Sequence, residues 1–188
     1  MSTIGDIEND IVARLKTPLD AKTKEIATRP GAWSIDLLQR VLQRAPAIYV
    51  SFLGGTPRKG EHEAIFDARF DVYAVSRRIN DDLQARQGNQ RMIGAYDMLE
   101  TSIKTLHGQT LADVGTYQLQ SIENLFGDAM FQLGGVIFAA TFLLPGLTIP
   151  SDLDLSTLDA FVTFDEQYDI DTTQNGEPVA EDTITLPQ

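Results

Sequence analysis

Hydrophobic positions at the start of the chain recur at helical spacing. Ile4, Ile7, Ile11 and Leu15 share one face, Asp6 and Glu8 lie in the opening turns, and Pro18 stops the pattern. This predicts an amphipathic helix of about four turns. The segment from Lys22 to Thr28 fits a short edge strand. Beyond the RPGAW break, Ser34 is placed to cap a second helix carrying Ile35, Leu38, Val41 and Leu42 on one face, with Pro46 as its end.

The period then changes to two. AIYVSFL alternates Ile48, Val50 and Phe52 against Tyr49, Ser51 and Leu53, with one face buried more deeply than the other. GGTPRKGEHE reads as a loop, with Gly54 and Gly55 as its hairpin turn. From Ile65 to Val75 the alternation resumes, with Phe66, Ala68, Phe70, Val72 and Ala74 opposite Asp67, Arg69 and Asp71, so an antiparallel hairpin is expected. Arg77 to Gln90 is polar and reads as a loop or a short turn of helix. A third helix is predicted from about Gln90 to Leu106, striped by Met92, Tyr96, Leu99, Ile103 and Leu106 and ended by Gly108; it should lie across the sheet as its cover. Tyr117–Ile122 alternates as a strand, and the unbroken apolar run Val136–Leu144 predicts a central strand paired with it. The expected fold is α+β: a mainly antiparallel sheet of about four strands covered by two to three helices, in a domain spanning 1–146.

Beyond Pro145 the pattern loses its period. Residues 147–188 mix prolines, turn residues and acids, and predict an extended acidic C-terminal arm. Leu153, Leu155, Leu158, Phe161, Phe164 and Tyr168 are too many large apolar side chains for a solvated tail, so part of the arm should dock on its own domain or on a neighbouring subunit.

Charge divides the chain at Lys104. All 15 Lys and Arg and 14 of the 27 acids lie in residues 1–104, and the other 13 acids lie in 105–188 with no basic residue among them. The net charge of −12 is therefore carried by the C-terminal half. That balance argues against a nucleic-acid binder, which is normally basic. Two basic groups stand out, Arg58 with Lys59 and Arg77 with Arg78; as subunit-interface residues they would meet the acidic arm of an adjacent copy. The absence of cysteine removes disulfides and thiolate chemistry. No export signal opens the chain, and the longest apolar run is about half what a helix needs to cross a bilayer, so a soluble protein without a membrane partner is expected.

Catalytic chemistry finds no pattern. His62 lies within EHE but lacks the several convergent ligands a metal centre requires, and a solvated loop histidine is the plainer reading. His107 suits the helix C-terminus, where positive charge is favourable. Gly54 and Gly55 lack the spacing of a phosphate-binding loop, and the adjacent acids Asp81 with Asp82 and Asp165 with Glu166 read as solvated. No catalytic, metal or cofactor site is expected.

Five pieces in order carry a resemblance: ARLK ending the first helix, PAIYVSFLGG, FDVYAVSRR, GAYDMLE, and an acidic end closing on DTITLP. Together they resemble the Mu-like phage family of tail terminator proteins over nearly the whole chain; the polar stretch Asn80–Asn89 and the long acidic arm depart from it. The resemblance implies a structural virion protein, without cofactor or enzymatic activity, that forms a homo-oligomeric ring of six. The ring would cap the head-proximal end of the tail tube, end its polymerisation and offer a surface to the head connector protein. Its partners would be its own copies, the tail tube protein and the connector, assembled in the host cytoplasm into the tail. DNA would pass through without specific binding; either Asp152, Asp154 and Asp159 face the channel, or the arm lies outside and clamps the next subunit. A tail-completion or head-to-tail connector subunit is the nearest alternative, and a small acidic binding or DNA-mimic protein is the alternative of another class.

Overall fold

A computed structural model of the chain describes residues 3–29, 34–59, 64–77, 82–112, 114–125, 132–149, 163–167 and 181–185. They fall in two units, Met1–Ser151 and Asp152–Gln188. The first unit is α+β, as expected. Its elements are α1 (Thr3–Leu19), β1 (Glu25–Thr28), α2 (Ile35–Gln43), β2 (Ala47–Pro57), β3 (Ala64–Arg77), α3 (Asp82–Gln87), α4 (Ala95–Leu106), β4 (Thr110–Leu111), β5 (Gly115–Thr116), β6 (Gln118–Asn124) and β7 (Gly135–Ile149).

Helix α1 buries Ile7, Ile11, Leu15 and Leu19, one residue per turn on one face. Pro18 does not stop it. Proline inside a helix forfeits one backbone hydrogen bond, and in the last turn that loss is offset by the burial of Leu19, which is 1% exposed. The Leu19 carbonyl then accepts from the Lys22 and Thr23 amides and the Thr23 hydroxyl, which closes the helix end.

The main sheet has five strands in the order β1-β2-β3-β7-β6. The edge strand expected before Thr28 is β1, and it pairs parallel to β2, while the other pairings are antiparallel. The long apolar run is indeed central: β7 lies between β3 and β6, with residues 135–142 all buried. One sheet face packs on α1 and α4 through Ile48, Val50, Phe70, Val72, Phe138 and Phe142. The other packs on α2, whose Val41 and Leu42 meet Tyr49, Tyr73, Val75 and Ile137. Both faces of β2 are therefore buried over Ala47–Ser51, a deeper burial than its alternation suggests. The Ser34 cap forms, its hydroxyl accepting from the Leu37 amide at 3.2 Å.

Two boundaries differ from the sequence reading. Gly54 and Gly55 are not a turn; β2 continues through them to Pro57, and the register shifts between Phe52 and Gly54. This bulge uses the positive φ of Gly54 (105°), and a Cβ on Gly55 would meet the Phe66 ring at 2.3 Å. Helix α4 begins at Ala95 rather than near Gln90, because the Asn89 side chain accepts from the Arg91 and Met92 amides and folds that stretch into a turn. Its buried face is accordingly Ala95, Met98, Leu99, Ser102 and Leu106, with Tyr96 and Ile103 partly covered. Gly108, at φ 77°, follows the helix as expected.

In the second unit, β8 (Thr163–Gln167) and β9 (Glu181–Thr185) form an antiparallel pair. No helix among the described residues is long and apolar enough to cross a membrane.

Candidate functional site

Four connections of the first unit converge on one cleft. The chain leaving α1 is held to the start of β2 by the Lys24 amide, which donates to the Pro46 carbonyl at 2.8 Å, and this sets Lys22 and Lys24 beside the end of α2. Arg77 closes β3 opposite Gly135. Arg91 stands on the Asn89 turn ahead of α4. The resulting cavity, about 750 Å³, is lined by Lys22, Lys24, Arg77 and Arg91 among neutral residues. A second cavity of about 580 Å³ shares Lys22 and Arg91 and adds the carboxylate of Asp97.

All four cations are exposed, and among the described residues none joins an ion pair. Ion pairs among the described residues join Arg14 with Asp10, Arg44 with Glu25, Arg58 with Asp67, and Lys104 with Glu100. The cleft thus gathers four positive charges, with the Asp97 carboxylate lining the adjoining cavity, on a chain of net charge −12. Chemically it can attract an anionic surface. Among the described residues there is no group of three or more His, Asp or Glu suited to a metal ion.

The two basic groups singled out in the sequence are not brought together. Arg58 and Arg77 mark opposite ends of the β2–β3 hairpin, separated by roughly 40 Å of strand. Arg58 pairs with Asp67 at 2.7 Å, and Asp67 also accepts from the Gly146 amide at 2.9 Å, which fastens the hairpin tip to β7. The Arg58 guanidinium, helped by that amide, holds the Asp67 carboxyl below the usual carboxylate range. Lys59 follows it, exposed.

Near the cleft, Glu25 of β1 accepts from Arg44 and from the Tyr49 hydroxyl, while the Arg29 guanidinium stacks 4.6 Å from the centre of the Tyr49 ring. Burial pushes the Glu25 carboxyl up, but Tyr49, Arg44 and Arg29 together outweigh it and hold the group below its ordinary value. Burial, reinforced by Glu25, pushes the Tyr49 hydroxyl far up. This group ties β1 to β2 and α2.

His107 stands at the C-terminal cap of α4, the place expected for it. Its Nδ1 accepts from the Leu119 amide at 3.1 Å, so the ring also clips the helix end to β6. Phe164 lies in β8 opposite Ile184. Arg78, Leu153, Leu155, Leu158, Phe161, Tyr168, Asp152, Asp154, Asp159 and His62 lie outside the described residues. Sequence reading reached Arg77 but missed Lys22, Lys24 and Arg91, since no local pattern joins positions that only the tertiary fold assembles. It also missed the β8–β9 pairing, whose alternation is masked by its acids.

Comparison with known proteins places a family on this fold. Residues 3–145 match the family described as Bacteriophage Mu, Gp37. The chain is 30% identical over 175 residues to the Mu-like prophage FluMu protein gp37 of Haemophilus influenzae, covering 91% of this chain and 84% of that protein. It is 23% identical over 159 residues to the "Probable tail terminator protein" of Escherichia phage Mu, covering 84% of this chain and 82% of that one.

Proposed function

Because this chain belongs to the Bacteriophage Mu Gp37 family, we propose that it is a structural protein of a phage tail that terminates the tail tube. The observation that carries this reading is the similarity to the phage Mu protein named as a tail terminator, which spans more than four fifths of both chains. In this reading six copies close into a ring on the head-proximal end of the tube, stop its growth and present a surface to the head connector. The protein is built in the host cytoplasm and carried in the virion.

Residues 1–146 form the ring subunit, and 147–188 form an arm that docks on the neighbouring copy through Leu153, Leu155, Leu158, Phe161, Phe164 and Tyr168. Arg58, Lys59, Arg77 and Arg78 belong to the subunit contacts. Asp152, Asp154 and Asp159 face the channel, where repulsion of backbone phosphates lets DNA pass without sticking. A closed ring of one chain type needs two different patches on each copy, and a basic cleft with an acidic C-terminal half supplies them.

Native mass spectrometry of the purified chain tests the ring, with a hexamer expected and a monomer or dimer counting against it. Adding the chain to polymerising tail tube protein tests termination. Tubes shortened in proportion to added protein support it, and unchanged length distributions would remove it.

A further inference from the structure

We infer that the cleft lined by Lys22, Lys24, Arg77 and Arg91 receives the acidic β8–β9 segment of a second copy of this chain. The inference rests on the ring reading above and deepens it by naming the two surfaces that meet.

Three observations converge. First, the cleft gathers four exposed cations, none of which joins an ion pair among the described residues. Second, the segment from Asp152 to Asp182 holds ten acids, and no Lys or Arg occurs anywhere after Lys104, so any counter-charge that this chain type supplies to it comes from the N-terminal half. Third, the β8–β9 register sets Glu166 directly opposite Asp182, with Asp165 and Glu181 in the same two strands. Like charges directly opposite each other destabilise a strand pair, and two strands of five residues do not hold by themselves. A cationic surface beneath that pair removes both difficulties.

A second copy is favoured over free nucleic acid because the whole chain, at −12, repels a phosphate backbone at long range. It also suits ring closure, in which each copy gives one patch and receives the other.

The test uses full-length chains with reversed charge. The cleft variant carries Arg77→Glu and Arg91→Glu, both at exposed positions; the segment variant carries Glu166→Lys and Asp182→Lys. Native mass spectrometry and sedimentation should show each variant alone losing the ring, with association weakened roughly tenfold or more, and a one-to-one mixture regaining it. In the mixture each unaltered segment can find an unaltered cleft, and the reversed charges of the segment variant can face the reversed charges of the cleft variant. Recovery by mixing also shows that both variants are folded. If either fails to fold, the neutral versions Arg77→Gln with Arg91→Gln and Glu166→Gln with Asp182→Asn should weaken the ring in the same direction.

Rings that persist in the cleft variant overturn the inference while leaving the ring reading intact. So does recovery only when all four substitutions sit in one chain, which would mean docking within a copy. Binding of a short DNA duplex that is lost in the cleft variant, with ring assembly unchanged, would make the cleft a nucleic-acid site instead. A wild-type chain that is monomeric fails the ring reading itself.

Discussion

At Gly88 and Gly94 two backbone turns approach so closely that a Cβ on Gly94 would lie 2.2 Å from the Gly88 nitrogen. Backbone cannot retreat by changing rotamer, so Gly94→Ala should cost about 2 kcal/mol, seen as a lower urea midpoint with an unchanged slope. The buried carboxylate of Asp71 accepts from the Thr141 hydroxyl at 2.6 Å and the Tyr73 hydroxyl at 2.8 Å. Asp71→Ala removes that shared acceptor and should destabilise by about 1–3 kcal/mol in chemical unfolding. Glu25 gives a pH signature. Its folded carboxyl is held below the ordinary 4.5, so its contribution is fully present above that pH and is lost as pH falls through the lower folded value. Glu25→Gln should therefore flatten the acid side of the stability profile below pH 4.5, by less than about 1 kcal/mol because its partner Arg44 is largely solvated.

Elements were legible where burial follows one period. Ile7, Ile11 and Leu15 mark α1 because a single face of that helix is buried, and Ile11→Ala should cost about 2–5 kcal/mol by thermal or chemical unfolding. The alternation of β3 and the apolar run of β7 also marked strands, although the burial of both faces of β3 from Phe70 to Ser76 does not follow its alternation. Reading failed where a local side-chain bond or a bulge overrides the pattern. Asn89 turns back a stretch whose apolar spacing still looks helical, and Gly54 with Gly55 serves a strand although glycine pairs usually mark turns. The double-faced burial of Tyr49 was hidden because α2, which covers it, is separated from it only by a short turn and shares no period with the strand.

For the whole molecule, the division of charge at Lys104 could be read directly from the sequence, but the site could not. Positions 22, 24, 77 and 91 fall within no common window, and only the ends of α1, α2 and β3 and the Asn89 turn bring them to one cavity. Association through that cavity should weaken steeply as salt rises from about 0.05 to 0.5 M, because screening shortens the reach of exposed charges to a few ångström. Sedimentation across that range checks it. Salt-independent association would shift the weight to the apolar residues of the arm.

The place of β7 in the sheet has a consequence for synthesis. Strands β2 and β3 can pair as soon as they leave the ribosome, but the other edge of β3 waits for residues 135–149, some seventy positions later in register. Pairings this distant in sequence form slowly and leave an open strand edge meanwhile. Because β7 ends at Ile149, just before the acidic segment begins, that segment emerges only after the last strand of the sheet. If that segment docks on a second copy as inferred above, the order of the chain keeps it from meeting an unfinished sheet.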